Sequence, residues 1–398
     1  MLYLSRMNMT ARKKTNNVGF TMVEVVVCVI IVGILFGISI IIYTNVIKNT
    51  GISAAKADLE NASKQIKVYK TMNSSYPSSI SDCPTPATGN LCLKPSGGNT
   101  FSYQANNTSI NKTYRLTVSS TNKTINFSAN ENNLFCPLNF IVVPGSTTYG
   151  TSDFCVMKYE ARDGGSNIPV SKADGTPWVN ISQTDAITYS KNVADCNNCH
   201  LITEAEWLTI AQNVLSVASN WTDTAGTTHI VGTGYIYSGH NDHVPDAALT
   251  ANTDDTKGYD STGNYAGDSN ITNNMAGNTQ RRTLTLTNGE VIWDMAGNVH
   301  EWTNATLGGG QQPGRSDQTG YDWTQWNNSS LILNGLSEAA KPAYTGIAGS
   351  SGWDTSYGVG RLYSYYGEAT EARAYVRGGR WANDTVAGVM TLSLSVGP

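Results

Sequence analysis

An apolar run from Val25 to Ile42, relieved only by Ser39 and by the small residues Gly33 and Gly37, constrains this chain more than any other feature. About 18 such residues is the length a helix needs to cross the hydrocarbon of a bilayer. Ahead of the run, the first 19 residues carry Arg6, Arg12, Lys13 and Lys14 and no acid. A basic flank of this kind is expected on the cytoplasmic side of a membrane, which leaves the rest of the chain facing outward. No small-residue site follows a shorter apolar core, as a cleaved secretory signal would have, so the run is expected to be retained. Glu24 stands at its start, where a carboxylate facing hydrocarbon costs a few kcal/mol and persists only with a partner.

With 398 residues the chain is long enough for two or more units. Its 26 basic and 30 acidic residues give a net charge of −4, and charged residues make up 14% of the chain, against about 25% in an average soluble protein. That balance offers no basic footprint for a phosphate backbone, so nucleic acid is excluded as the expected partner. The chain holds 20 Tyr, 9 Trp and 38 Gly, so hydrogen bonding and aromatic contact must replace charge on much of the surface. Apart from Cys28 in the apolar run, the cysteines fall into three close-set pairs: Cys83 with Cys92, Cys136 with Cys155, and Cys196 with Cys199. In an exported chain short disulfide loops are the default, although spacing alone does not fix connectivity.

Beyond Lys48 the spacing of Ile52, Ala55, Leu59, Ala62, Ile66 and Tyr69 alternates between three and four, the stripe of an amphipathic helix. An unbroken helix over residues 20–72 is expected, half apolar all round and half striped, with Gly51 as a place where it could bend. Residues 73–133 are rich in Ser, Thr, Asn and Pro, with alternating stretches such as Thr113 to Val118 that suit strands. They read either as a small sheet or as a linker. From residue 134 to 398 the texture changes to aromatic-punctuated strands, long Gly/Asn/Asp loops and two short helices. Ser182 with Asp185, and Thr203 with Glu206, have the form of capping boxes. Few helices and no alternation of strand and helix point to an irregular α+β domain.

Gly19-Phe20-Thr21-Met22-Val23-Glu24 followed by the apolar run resembles the type IV prepilin signal of pilins and pseudopilins. The resemblance implies cleavage of a 1–19 leader by a prepilin peptidase between Gly19 and Phe20, and N-methylation of Phe20. It also implies pairing of Glu24 with the N-terminal amine of a neighbouring pilin subunit, and a small sheet over 73–133 of the kind that packs on a pilin helix. A second resemblance covers 134–398. It rests on Phe154-Cys155-Val156-Met157-Lys158-Tyr159-Glu160, Leu201-Ile202-Thr203-Glu204-Ala205-Glu206-Trp207, the block Val291 to Trp302, and Val376-Arg377-Gly378-Gly379-Arg380-Trp381. These blocks resemble the formylglycine-generating enzyme (sulfatase-modifying factor) superfamily, which implies a C-type-lectin-like fold in a superfamily that holds both enzymes and binding proteins.

The resembled enzymes place two cysteines after the Arg-Gly-Gly motif to hold copper; here Asn383 and Gly388 occupy those places and neither offers a thiolate. No copper and no catalysis are therefore expected, with an oxidase on the same fold as the alternative. Cys196-Asn197-Asn198-Cys199-His200 matches the form of c-type haem attachment, but no distal ligand or apolar pocket is announced and haem is not expected. His240, Asp242 and His243 read as a polar loop rather than a metal site. The resemblance implies structural calcium held by the side chains of Asp294 and Glu301 and the carbonyls of Gly297 and Val299. The competing reading is a metal-free turn closed by the Asp294 and Asn298 side chains.

The C-terminal stretch Arg377 to Leu394 resembles the variable region of proteins diversified by retroelement-directed adenine mutagenesis. That resemblance implies fixed positions at Gly378, Gly379, Trp381, Ala387, Gly388, Val389, Leu392 and Leu394. The mutable ones would be Arg380, Ala382, Asn383, Asp384, Thr385, Val386, Thr391, Ser393, Ser395 and Val396. Period-two alternation supplies the physical logic, since apolar residues two apart face a core while their neighbours face solvent. Neighbouring aromatics Tyr321, Trp323, Trp326, Tyr363, Tyr365 and Tyr366 would widen the binding surface. The resembled proteins run on to a terminal Gly-Phe-Arg, which this sequence lacks, so its last domain is expected to be incomplete. The reading is thus an α+β chain: a long pilin-type helix followed by an irregular C-type-lectin-like domain, anchored in the membrane, displayed outside the cell and binding an extracellular ligand. Other pilin subunits are expected partners if it enters a filament.

Overall fold

The computed structural model describes residues 53–398 apart from 82–88, 108–112, 121–125, 130–135, 138, 195, 197, 222–230, 232–233, 244, 259–279, 344–356 and 369. Helix α1 covers 53–73. The expected stripe is buried on it at Ala55, Leu59, Ala62 and Ile66, and burying a Leu or Ile is worth about 2 kcal/mol each. Asp58 ties this helix to the chain that follows, accepting hydrogen bonds from Ser96 N (2.9 Å), Ser96 Oγ (2.6 Å) and Asn99 Nδ2 (2.7 Å).

Strands β1 (Ser79–Ser81) and β2 (Asn90–Cys92) pair in parallel. Then β3 (Asn99–Asn106), β4 (Thr113–Ser120) and β5 (Asn126–Ala129) form an antiparallel meander. In β4 the residues Tyr114, Leu116 and Val118 are buried while Arg115, Thr117 and Ser119 alternate with them half-exposed, the signature of a strand with one covered face. Strands β3, β4 and β5 thus form a small three-stranded sheet within 99–129.

Beyond it come β6 (Phe140–Val143) and β7 (Phe154–Met157), an antiparallel pair bridged by Cys136–Cys155. Strands β8 (Ala161–Asp163) and β9 (Pro169–Ser171) also pair. Two short helices follow, α2 (Gln183–Tyr189) and α3 (Glu204–Leu215). Ser182 caps the first by accepting from Asp185 N, and Thr203 with Glu206 forms a full capping box on the second. The pair β10 (Thr283–Thr285) and β11 (Val291–Trp293) leads through a turn into β12 (Glu301–Leu307). The remaining strands are β13 (Gly314–Arg315), β14 (Asp322–Thr324), β15 (Leu331–Ile332), β16 (Leu362–Ser364), β17 (Arg373–Arg377) and β18 (Leu392–Ser393).

The largest sheet has the order β12-β17-β18-β16-β14, with β16 and β18 parallel and the other neighbours antiparallel. The main core brings Trp207, Leu208, Ile210 and Val214 of α3 together with Leu307, Leu362, Tyr375, Val389, Leu392 and Leu394, among others. Residues Ala54–Pro398 form one compact unit. Arg115 of β4 and Glu290, just before β11, are joined across it by an ion pair at 3.0 Å.

The expected fold class needs correction. Helix among the described residues is limited to α1, α2, α3 and single 3-10 turns, and short strands dominate, so an α+β chain led by a helix over 20–72 is not what they form. The buried stripe supports a helix only where its spacing holds, from Ala55 to Ile66, after which a chain rich in Asn, Ser, Thr and Gly favours turns and short strands. Among the described residues no helix is long and apolar enough to cross a membrane; the Val25–Ile42 run lies outside them, as do Gly19, Phe20 and Glu24.

Candidate functional site

Three of the four sequence blocks meet at the turn between β11 and β12, and the fourth, 201–207, joins them through β12 and β17. Asn298 sits at its centre, fully buried and in the left-handed region at φ 58°, which Asn tolerates because its short amide bonds locally. Its Oδ1 accepts from Leu249 N (2.7 Å), and its Nδ2 donates to Leu249 O (3.1 Å) and to Glu160 Oε2. Gly297 N donates to Gly378 O (3.1 Å), and Trp381 N donates to Asn298 O (3.0 Å). Gly297 has φ 80°, and a Cβ there would stand 2.4 Å from His240 O, so only glycine fits this approach. The third link is a buried ion pair in which Arg377, at the end of β17, donates to Glu204, the first residue of α3, while Thr303 Oγ1 donates to Glu204 Oε1 at 2.6 Å.

From this framework the chain runs into the segment 380–386. Its backbone is pinned throughout: Asp384 N donates to Asn241 O (2.7 Å), Asn241 Nδ2 donates to Asp384 O (3.0 Å), and His243 N donates to Trp381 O (2.8 Å). Its own turns close it further, Val386 N donating to Asn383 O at 3.0 Å. On this fixed backbone Arg380, Asp384 and Thr385 are exposed, while Ala382, Asn383 and Val386 are half-buried. Asn383 is committed to the scaffold, its Oδ1 accepting from Arg380 N (2.9 Å) and lying 3.0 Å from His300 Nε2. The packing around His300 lowers its pKa, the Asn383 carbonyl raises it in opposition, and the Arg380 charge lowers it further.

Three fixed-versus-mutable assignments need correction. Thr391 and Ser393, expected to face solvent, are buried at 1% and 4% exposure. Strand β18 is flanked on both sides, by β16 and β17, and the neighbouring Leu392 is buried as well, so alternation along it does not mark a solvated face. Trp381, expected in the core, is half-buried at the surface, with Nε1 donating to Asp246 Oδ1 (2.8 Å) and the Arg380 guanidinium 5.6 Å from its ring. Ser395 is half-buried and Val396 exposed.

The register of the large sheet sets Trp302, Val376, Ser393, Tyr363 and Trp323 in one cross-strand row, hence on one face. Along its outer edge the aromatic residues gather. Trp323 and Tyr363 have ring centroids 4.7 Å apart, and Tyr321 lies 5.6 Å from Tyr363 and 5.9 Å from Tyr365. All four are half-buried. Tyr366 is half-buried too, its N donating to Gln318 Oε1. Trp326 is a correction: it is core, 2% exposed, with Nε1 donating to Met390 O. Sequence reasoning missed Asn241 and Asp246, which hold the 380–386 segment from a distant loop; no local signal marks either.

The expected calcium ligands do not fit a cation. Both Asp294 oxygens accept from the Arg282 guanidinium, at 2.6 Å from Nε and 2.5 Å from Nη2, and both residues are 2% exposed. Burial, with the Asp294 charge adding to it, pushes the Glu301 carboxyl above the usual carboxylate range. Burial also raises Glu160 well above the usual carboxylate range, helped by Asp294 and Glu301 and opposed by Arg282 and Asn298. Val299 N donates to Glu160 at 3.3 Å. Among the described residues no three acidic, His or Cys side chains converge on a metal position.

Cys136–Cys155 and Cys196–Cys199 are both bonded and border one small apolar cluster with Phe140, Val142 and Val193. Cys92 is disulfide-bonded; its expected partner, Cys83, lies outside the described residues. His200 contacts Glu206 Oε2 at 3.0 Å and Asn198 O at 3.1 Å, so both ring nitrogens are engaged within the protein. Comparison with protein families and with curated proteins finds no match for this chain.

Proposed function

We propose that the chain is a surface-displayed ligand-binding protein whose recognition surface is the 380–386 segment, widened by the aromatic edge of the large sheet. One observation carries the reading: the segment's backbone is fixed by Asn241, Asn298, His243 and its own turns, while Arg380, Asp384 and Thr385 project to solvent. Side chains so placed can change identity at small cost, which is what a diversifiable surface needs. The buried positions Thr391 and Ser393 are left out of that surface. The half-buried rings of Tyr321, Trp323, Tyr363 and Tyr365 supply contact area at low entropy cost. We assign no catalysis, since Asn383 and Gly388 stand where the resembled oxidases carry cysteines, and Asn383 is spent on Arg380 N and His300. The anchor would be the pilin-type segment after Gly19, matured by a prepilin peptidase, with membership of a filament alongside other pilin subunits as an extension of the reading.

Sequencing the gene's 3′ end in sibling isolates tests it, together with melts of each variant found. Differences should cluster at Arg380, Ala382, Asp384 and Thr385, with stability held within about 0.5 kcal/mol. Differences spread evenly through 377–396, or reaching Thr391 and Ser393 as often as Arg380, would overturn the proposal.

A further inference from the structure

The turn between β11 and β12 is the place where the resembled superfamily would set calcium, yet its strongest expected ligand faces a side chain instead. Arg282 is almost wholly buried and every direction of its guanidinium is used. Nε and Nη2 donate to the two Asp294 oxygens, Nη1 donates to Thr250 O (2.6 Å), and Nη2 also donates to Leu249 O (3.2 Å). The backbones are joined as well, Asp294 N donating to Arg282 O at 2.7 Å. Asn298 grips the same Leu249 from the far end of the turn. Arg282 and Asn298 together therefore cross-link the 249–250 segment to the turn, the mechanical task that a structural cation performs by drawing oxygens from separate stretches onto itself.

We infer that Arg282 is the built-in counter-cation of this turn: its guanidinium takes both Asp294 oxygens and makes the 54–398 unit independent of calcium. The charge inventory supports this. The Arg282 guanidinium is bonded to both Asp294 oxygens, and the charges of Asp294 and Glu301 act on Glu160 beside them. A divalent ion entering beside the guanidinium meets like-charge repulsion in a medium that screens poorly. Arginine suits the substitution because its planar fork matches a carboxylate at two points and is never deprotonated in a protein.

The test is a thermal melt of the full-length protein in detergent, with calcium chloride or with EGTA, paired with equilibrium dialysis against radiocalcium. The wild type should melt at one temperature in both buffers and bind no stoichiometric calcium. Arg282→Gln should melt about 10 °C lower in EGTA and in calcium alike, since one partner of a buried pair is lost. Adding Asp294→Asn to it removes both charges, and that double variant should regain stability. A wild type that is stabilised by calcium, with the binding abolished by Glu301→Gln, would overturn the inference. So would an Arg282→Gln protein that melts like the wild type in EGTA. Where Arg282→Gln fails to fold in either buffer, the wild-type and Glu301→Gln arms decide alone.

Discussion

Replacing Asn298 by alanine should be among the most damaging single changes in the head, and its cost can be built from its contacts. The side chain makes three hydrogen bonds inside the protein, two to the Leu249 backbone and one to Glu160, at a position with no exposure to solvent. Each contributes about 1 kcal/mol net, and leaving buried partners unpaired raises rather than lowers that figure. The backbone at φ 58° adds about 1 kcal/mol for any residue with an ordinary Cβ. The sum is about 4 kcal/mol, a shift on the order of 1 M in a urea midpoint. Chemical denaturation followed by intrinsic tryptophan fluorescence measures it. Asn298→Gly separates the two contributions, because glycine recovers the backbone share of about 1 kcal/mol and none of the hydrogen bonds. Asn298→Asp sets a carboxylate against Glu160, so its deficit should grow as pH rises and both groups ionise. An Asn298→Ala protein within 1 kcal/mol of wild type, or a glycine variant no better than alanine, refutes the placement of Asn298 as the joint between its own turn, Glu160 and Trp381.

Two further outcomes are expected. Hydrogen bonding to Glu206 raises His200 to about 9 against the opposing effect of its partial burial, with Asn198 O assisting. A raised folded value means that its stabilisation is complete below the ordinary histidine value of 6.5 and fades as pH climbs through about 9. Melts from pH 6 to 10 should show this shallow decline and its loss in His200→Gln, and a variant with an unchanged pH profile would contradict it. At the other end of the chain, mass spectrometry of surface-located protein should find a chain beginning at N-methylated Phe20. A surface protein that keeps Met1 would reduce the segment to a simple signal anchor.

Local chemistry is what the sequence makes legible. Thr203 and Glu206 lie three residues apart, so the start of α3 can be read from their types alone. The stripe on α1 is legible for the same reason, each member lying within one turn of the next. What escapes such reading is long-range pairing. Nothing near Glu204 announces Arg377, 173 residues away, and nothing near Asp294 says that Arg282 will take both its oxygens. The period-two reading of the last strand fails for a related reason: alternation marks a solvated face only when one face of the strand is bare, and β18 lies inside its sheet. Within the candidate surface, exposure at Arg380, Asp384 and Thr385 agrees with the reading, whereas the scaffold role of Asn383 depends on His300, 83 residues earlier in the chain.

The position of β18 also sets an order of events during synthesis. Leu392 pairs with both Leu362 and Arg377, and Ser393 with both Tyr363 and Val376, so the strand wedges between two neighbours that reach the ribosome exit well before it. Until it arrives, β16 and β17 each present an open edge of unpaired backbone groups, the template on which wrong chains join. Closure is therefore the final act of folding for this sheet, and it occurs only after every residue of 380–386 has been translated. A frameshift within that stretch delivers no Leu392 and leaves β16 and β17 without the strand that pairs with both.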